Sequence, residues 1–289
     1  MTTYEPLRRL PLLKRKAKTL MAIACTALTV GCQSVASTLT PKSEEKPRGS
    51  KRPPVAQATQ KISLTISAAA SLQNALREIE PLFEQRYPNI DIFYNWGGSG
   101  ALQRQIERGA PADIFFSASP IQMAALAEQG RLSSGSPKVV LANRLVLIVP
   151  VGSRLTDLAS LSELKASERI AVGEFRSVPA GQYARDTLSH FQLLPDLSSQ
   201  LIFFSNVRGV LTAVESGHAA AGLVYLTDAE LSAQVRIVAI APETSHAPID
   251  YPIAILQRSE NPQAAQKYLD FLSDPVAIET FNRYGFNPR

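Results

Sequence analysis

The sequence predicts an α/β protein of two lobes, each built on a mostly parallel, doubly wound sheet, with a ligand cleft between them. Three observations carry this. Across residues 61–289, β-branched runs alternate with segments of helical spacing, the order that builds βαβ units. Ile114-Phe115-Phe116 and Leu145-Val146-Leu147-Ile148-Val149 are continuously apolar, as strands covered on both faces are. Small-residue turns stand where strand passes into helix, and in such sheets ligands bind at the carboxyl ends of the strands.

The stretch Ile62 to Leu72 organises the rest. It begins as an alternating strand, runs through Ala68-Ala69-Ala70, and reaches Ser71. Leu72, Ala75, Leu76, Ile79 and Leu82 then follow at helical spacing. Ser71 is therefore expected at the helix N-cap. The first N–H groups of a helix lack internal partners and carry the positive end of its dipole, so such a turn suits an anion. The same turn could equally be an ordinary cap facing water.

The arrangement recurs. Ile90 to Tyr94 reads as a strand leading into Trp96-Gly97-Gly98-Ser99-Gly100, after which Ala101, Leu102 and Ile106 are helical. No Gly-Lys-Ser/Thr follows, so this is not a nucleotide P-loop. Ser117-Ala118-Ser119-Pro120 caps a helix over 121–129. A second series has a short helix at 158–164, a strand at 169–173, and a helix opened by Ala180 and running to about Phe191. A strand at 201–204 and a helix over 207–216 follow, then a strand ending at Tyr225, with Thr227-Asp228 capping a short helix. Strands at 235–240 and 251–256 and helices at 262–272 and 275–284 complete the chain, Pro252 marking an edge or entry position. Ser71, Ser99, Ala180, Val207 and Tyr225 all fall at strand carboxyl ends. Together they predict a small anion held between lobes made of 61–145 with 242–289, and of 146–241.

The charge is unevenly spread. Residues 1–60 hold eleven Lys/Arg and three acids, for +8, whereas 61–289 hold nineteen basic and twenty-two acidic side chains, for −3. The folded part is mildly acidic and offers no basic footprint for nucleic acid. Both cysteines, Cys25 and Cys32, lie in the head, and His190, His218 and His246 show no metal-ligand spacing.

Lys14-Arg15-Lys16-Ala17-Lys18 followed by the uncharged run Thr19 to Gly31 reads as a secretory signal, residues 1–31, too short to span a bilayer. Leu28-Thr29-Val30-Gly31-Cys32 resembles a bacterial lipobox, with Cys32 the lipidated residue, although Thr29 stands where that pattern favours Leu. Cleavage and release as a soluble periplasmic protein is the alternative. Residues 32–60, rich in Ser, Thr, Pro, Lys and Gln, read as a disordered tether.

Six motifs stand in order along the body: Ala68-Ala69-Ala70-Ser71-Leu72, Gly109-Ala110-Pro111-Ala112-Asp113-Ile114-Phe115, Val178-Pro179-Ala180-Gly181, Val207-Arg208-Gly209, Gly222-Leu223-Val224-Tyr225 and Arg283-Tyr284-Gly285-Phe286. In these the chain resembles the molybdate-binding ModA family of bacterial ABC importers. The resemblance implies a type II periplasmic-binding fold that closes on molybdate or tungstate outside the cytoplasmic membrane. It also implies delivery to a membrane permease, no cofactor, and a monomer. It implies ligation by the hydroxyls of Ser71, Ser99 and Tyr225 and the backbone N–H groups of Ala180 and Val207. None of these five carries charge, as suits a buried dianion without protons, which needs donors only. Where better-known members have a serine-rich loop, this chain has the glycines around Ser99, which predicts a more mobile free loop. Arg208 would supply charge from behind the ligand shell, or form a surface or interlobe salt bridge. Two other readings compete. One is the same fold tuned to sulfate, phosphate or an organic anion. The other is a serine hydrolase using Ser71 or Ser99, against which stands the lack of a nearby base motif.

Overall fold

The structure, a computed structural model, describes residues 61–135 and 137–289. The signal, Cys32 and tether predictions lie outside the described residues.

β1 (Ile62–Ala69) leads through a 3-10 turn, Ala70–Leu72, into α1 (Gln73–Arg86). The predicted apolar stripe is buried at Leu72, Ala75, Leu76 and Ile79, and Phe83 completes it in place of Leu82. β2 (Ile90–Gly97), α2 (Ser99–Glu107), β3 (Ile114–Phe116) and α3 (Pro120–Glu128) continue the βα series. Ser119 caps α3 by accepting from the Ile121 N–H. β4 (Lys138–Ala142) then precedes β5 (Leu145–Pro150). Sequence reading missed β4, although Val139-Val140-Leu141-Ala142 is an apolar run; the strand is exposed at its start and buried only at Leu141 and Ala142.

The second series comprises β6 (Ile170–Gly173), α4 (Pro179–His190), the short α5 (Leu194–Leu197), β7 (Leu201–Phe204), α6 (Val207–Glu215), β8 (Ala221–Tyr225), α7 (Leu226–Ala229) and β9 (Val235–Ile240). The expected helix at 158–164 is a 3-10 segment, Ala159–Glu163. The chain returns with β10 (Asp250–Ile255), α8 (Pro262–Phe271), α9 (Pro275–Arg283) and the two-residue β11 (Asn287–Pro288).

The strands form two sheets, in the orders β11-β4-β10-β3-β1-β2 and β7-β6-β8-β5-β9. The βαβ strands pair in parallel, β1 with β2 and β3, and β6 with β7 and β8. The pairings made by β4, β5, β9, β10 and β11 are antiparallel, so both sheets are mixed rather than mostly parallel. No crossover helix joins these strands to their sheet neighbours. β4, β5, β9 and β10 flank the points where the chain passes from one sheet to the other, residues 143–144 and 241–249, and β11 follows α9 at the end of the chain.

Pro252 is a correction. β10 is an inner strand, between β4 and β3, and its register against β4 shifts between Tyr251 and Pro252. Proline is tolerated there because the irregularity breaks the ladder where its missing N–H would have been needed. Each sheet is covered by helices. α6 and α4 lie on β6 and β8, while Phe83 of α1 meets Tyr268 and Phe271 of α8 with ring centroids 5.3 and 5.4 Å apart. Among the described residues no helix is long and apolar enough to cross a membrane.

Candidate functional site

Register brings the predicted turns together. In the first sheet Ala69 pairs with Gly97 and Ala68 with both Trp96 and Phe116. The ends of β1, β2 and β3 therefore lie side by side and deliver Ser71, Ser99 and Ala118 to one place. In the second sheet Gly173 pairs with Phe204, and Tyr225 ends β8. All five predicted residues, Ser71, Ser99, Ala180, Val207 and Tyr225, line a single small cavity where the two sheets' ends meet, with Gly98, Ala118, Val178 and Asn206 among its other walls. All five are buried. Sequence reading placed Gly98, Ala118, Val178 and Asn206 in strand-to-helix turns but gave none of them a part in the site. They became wall only because the opposed half of the molecule reaches them.

No charged residue lines the cavity. Ala180 and Val207 occupy the first turns of α4 and α6, where backbone N–H groups have no carbonyl to bond within the helix. Ser99 opens α2 in the same way. Ser71 departs from expectation. It lies inside the 3-10 turn, whose cap is Ala69, and its hydroxyl caps nothing. Its Oγ is instead 3.0 Å from the Tyr251 hydroxyl. Ser99 Oγ accepts the Ala118 N–H at 3.0 Å. The Tyr225 hydroxyl is buried and makes no hydrogen bond. Burial above all, then the neighbouring Tyr251, Tyr183 and Asp228, holds it protonated, well above the ordinary tyrosine range. A buried hydroxyl without a partner is costly, and a ligand acceptor would relieve it.

The two halves touch across the cavity. Gly100 N–H donates to the Ser177 carbonyl at 2.9 Å, Gln122 Nε2 to Gln182 Oε1 at 3.4 Å, and Arg208 Nη2 to the Ser71 carbonyl at 3.4 Å. Arg208 pairs with Asp228, Nε to Oδ1 at 2.8 Å, without the alignment of a hydrogen bond. Asp228 is wholly buried within α7, so it does not cap that helix as expected; Tyr225 occupies the cap. Burial raises the Asp228 carboxyl to about 6 although Arg208 opposes the rise. Arg208 is thus paired within its own half and reaches the other by its hydrogen bond to the Ser71 carbonyl.

A larger pocket, about 540 Å³, lies at the opposite end of β1 among Ser63, Thr65, Asp113 and Arg258. It receives none of the predicted residues.

Two α/β halves that meet around a small, uncharged and donor-lined cavity define a solute-binding protein. The chain belongs to the bacterial extracellular solute-binding protein family, whose sequence pattern matches residues 64–287. It is 39% identical over 226 residues to the putative ABC transporter substrate-binding lipoprotein YvgL of Bacillus subtilis, covering 78% of this chain and 86% of that one. It is 36% identical over 228 residues to the molybdate-binding protein ModA of Escherichia coli, covering 77% and 88%. Among solved structures, the substrate-binding domain of a putative molybdenum ABC transporter from Clostridium difficile superposes with a TM-score of 0.62 at 38% identity, over 78% of this chain and 99% of that one.

Proposed function

We propose that this protein is the extracytoplasmic receptor of an ABC importer for molybdate and tungstate. The observation that carries the reading is the single cavity that gathers Ser71, Ser99, Ala180, Val207 and Tyr225, with the Tyr225 hydroxyl buried and unpartnered. Three hydroxyls and the first-turn N–H groups of α2, α4 and α6 converge there, a donor set suited to a dianion that has no proton to give. Relatives named for molybdate support that choice of anion.

The two sheets serve as lobes, 61–145 with 242–289 and 146–241, the first boundary falling on the opening residue of β5. The crossing segments act as the hinge, and closure on the anion presents a joint surface to the permease. Cys32 carries the lipid that holds the mature protein at the membrane, a reading favoured by the lipoprotein relative. A serine hydrolase is disfavoured, since Ser71 meets Tyr251, which burial holds protonated, and Ser99 a backbone N–H, so neither has a general base beside it.

The test is thermal unfolding with molybdate, tungstate, sulfate and phosphate in turn. A ligand at 100 times its Kd adds about 2.7 kcal/mol. Stabilisation by molybdate and tungstate alone upholds the reading. Stabilisation by sulfate or phosphate alone keeps a receptor and changes its solute.

A further inference from the structure

The turn between β6 and α4, Glu174-Phe175-Arg176-Ser177-Val178, holds no glycine, proline, asparagine or aspartate to set its shape. Pro179 opens α4 and keeps Val178 extended, at φ -110° and ψ 115°, and Val178 offers the helix no side-chain cap. The shape comes from Glu174, whose carboxylate folds back on its own turn. Oε1 accepts the Arg176 N–H at 3.0 Å, and Oε2 accepts the Ser177 hydroxyl at 2.6 Å. The Glu174 carbonyl accepts the Val178 N–H at 2.9 Å. Its N–H donates to the Phe204 carbonyl at 2.9 Å, which ties the turn to the end of β7. Burial pushes the Glu174 carboxyl up, but the bonds from Ser177 and Arg176 outweigh it and hold the group below the usual glutamate range. At neutral pH the side chain is therefore ionised, with both oxygens engaged as acceptors.

This turn carries a contact between the halves. The Ser177 carbonyl receives the Gly100 N–H, and Val178 is cavity wall. Ala180, whose N–H belongs to the proposed anion site, follows in the first turn of α4. Gly100, in the other half, leaves room for the approach, but nothing in a glycine aims the Ser177 carbonyl at it. Glu174 itself does not line the cavity.

We infer that Glu174 is a positioning residue for anion binding, which clamps the 174–178 turn so that the Ser177 carbonyl meets Gly100 and Val178 and Ala180 stand in the cavity wall. The inference rests on the oxyanion-receptor reading and deepens it. It runs against simple electrostatics, since a negative charge a few residues before Ala180 opposes an anion. That opposition lets the two effects be told apart by sign.

The test is calorimetric titration of the full chain with molybdate, beside thermal unfolding without ligand. Glu174→Ala removes the charge and both side-chain bonds. Molybdate affinity is expected to fall about tenfold, with the ligand-free Tm lowered by no more than a few degrees. Glu174→Gln removes the charge and keeps the bonds, because its Oε1 still accepts the Arg176 N–H and its amide can donate to the Ser177 hydroxyl. It should recover most of the loss. Ser177→Ala breaks one bond, keeps the carbonyl that faces Gly100, and should cost a few-fold. It also carries the test should Glu174→Ala fail to fold. Charge alone would make both Glu174 variants bind molybdate more tightly. A merely structural role would lower Tm and leave the affinity of the folded fraction unmoved. Either result, or a Glu174→Gln variant no better than Glu174→Ala, overturns the inference and leaves the receptor standing. Wild-type protein that binds no oxyanion overturns both.

Discussion

Gly100 and Ser177 meet backbone to backbone across the cavity, the Gly100 N–H donating to the Ser177 carbonyl at 2.9 Å. A Cβ on Gly100 would stand 2.5 Å from that carbonyl oxygen and 2.9 Å from the Ser177 Cα, and one on Gly98 would stand 2.5 Å from the Ser205 carbonyl oxygen. The loop glycines were expected to make the free loop mobile. The structure gives them another task, which is to let the backbones of the two halves come this close.

Gly100→Ala should therefore hinder closure and spare each half. We expect at least a 100-fold loss of molybdate affinity in calorimetric titration, with a fall in Tm of the ligand-free protein of no more than a few degrees. A large drop in Tm with normal affinity in the folded fraction would contradict this.

Ser71→Ala and Ser99→Ala each remove one donor from the proposed anion site. A hydrogen bond to a charged group contributes about 1.5–3 kcal/mol, so each variant should bind molybdate roughly 10- to 150-fold more weakly. Val207→Ala keeps the backbone N–H that the proposal assigns to it, and should change affinity far less than either serine variant. Equal losses in all three would deny the hydroxyls their assigned part.

Asp228 makes the protein sensitive to pH. Its carboxyl is raised from 3.8 to about 6 by burial, so the native state holds this proton more tightly than the unfolded chain. The contribution to stability is then greatest in acid and is lost as pH rises from about 4 to about 6, by roughly 3 kcal/mol. Denaturant melts of wild-type and Asp228→Asn protein across that range should differ by such a step. Binding has the companion effect. Below about pH 6 Arg208 loses its counter-charge while it still reaches the Ser71 carbonyl. Wild-type affinity for molybdate at micromolar concentration should therefore rise as pH falls from 7.5 to 5.5, and Asp228→Asn should flatten the trend.

Phe83 tests the core of the first half. It is fully buried, with the rings of Tyr87, Tyr268 and Phe271 around it at 4.9 to 5.4 Å between centroids. Phe83→Ala should cost about 3–5 kcal/mol, read as a lower urea midpoint at unchanged slope. The cavity lies at the far end of β1 from these contacts, so molybdate should still stabilise the folded variant.

The order of the elements and the turns that bear the site were legible in the chain, because both are local facts. Apolar spacing separates β1 from α1. The residues that open α2, α4 and α6 are read from the strand that ends just before them. What lay opposite those turns was decided by tertiary structure. Ser71 looked like a helix cap and is held instead by Tyr251, 180 residues away. Pro252 looked like an edge marker and sits at a register shift inside the sheet. Arg208 could be read as charge behind the ligand shell or as a surface or interlobe ion pair, and it is paired with a buried aspartate of its own half. β4 was passed over despite its apolar run Val139-Val140-Leu141-Ala142, and its place in the sheet comes from β10 and β11, which pair with it. Periodicity records which face of an element is buried, but not which residue of a distant element covers it. The partners that hold a hydroxyl, set a carboxyl's proton affinity or require a glycine are chosen only when distant elements come together.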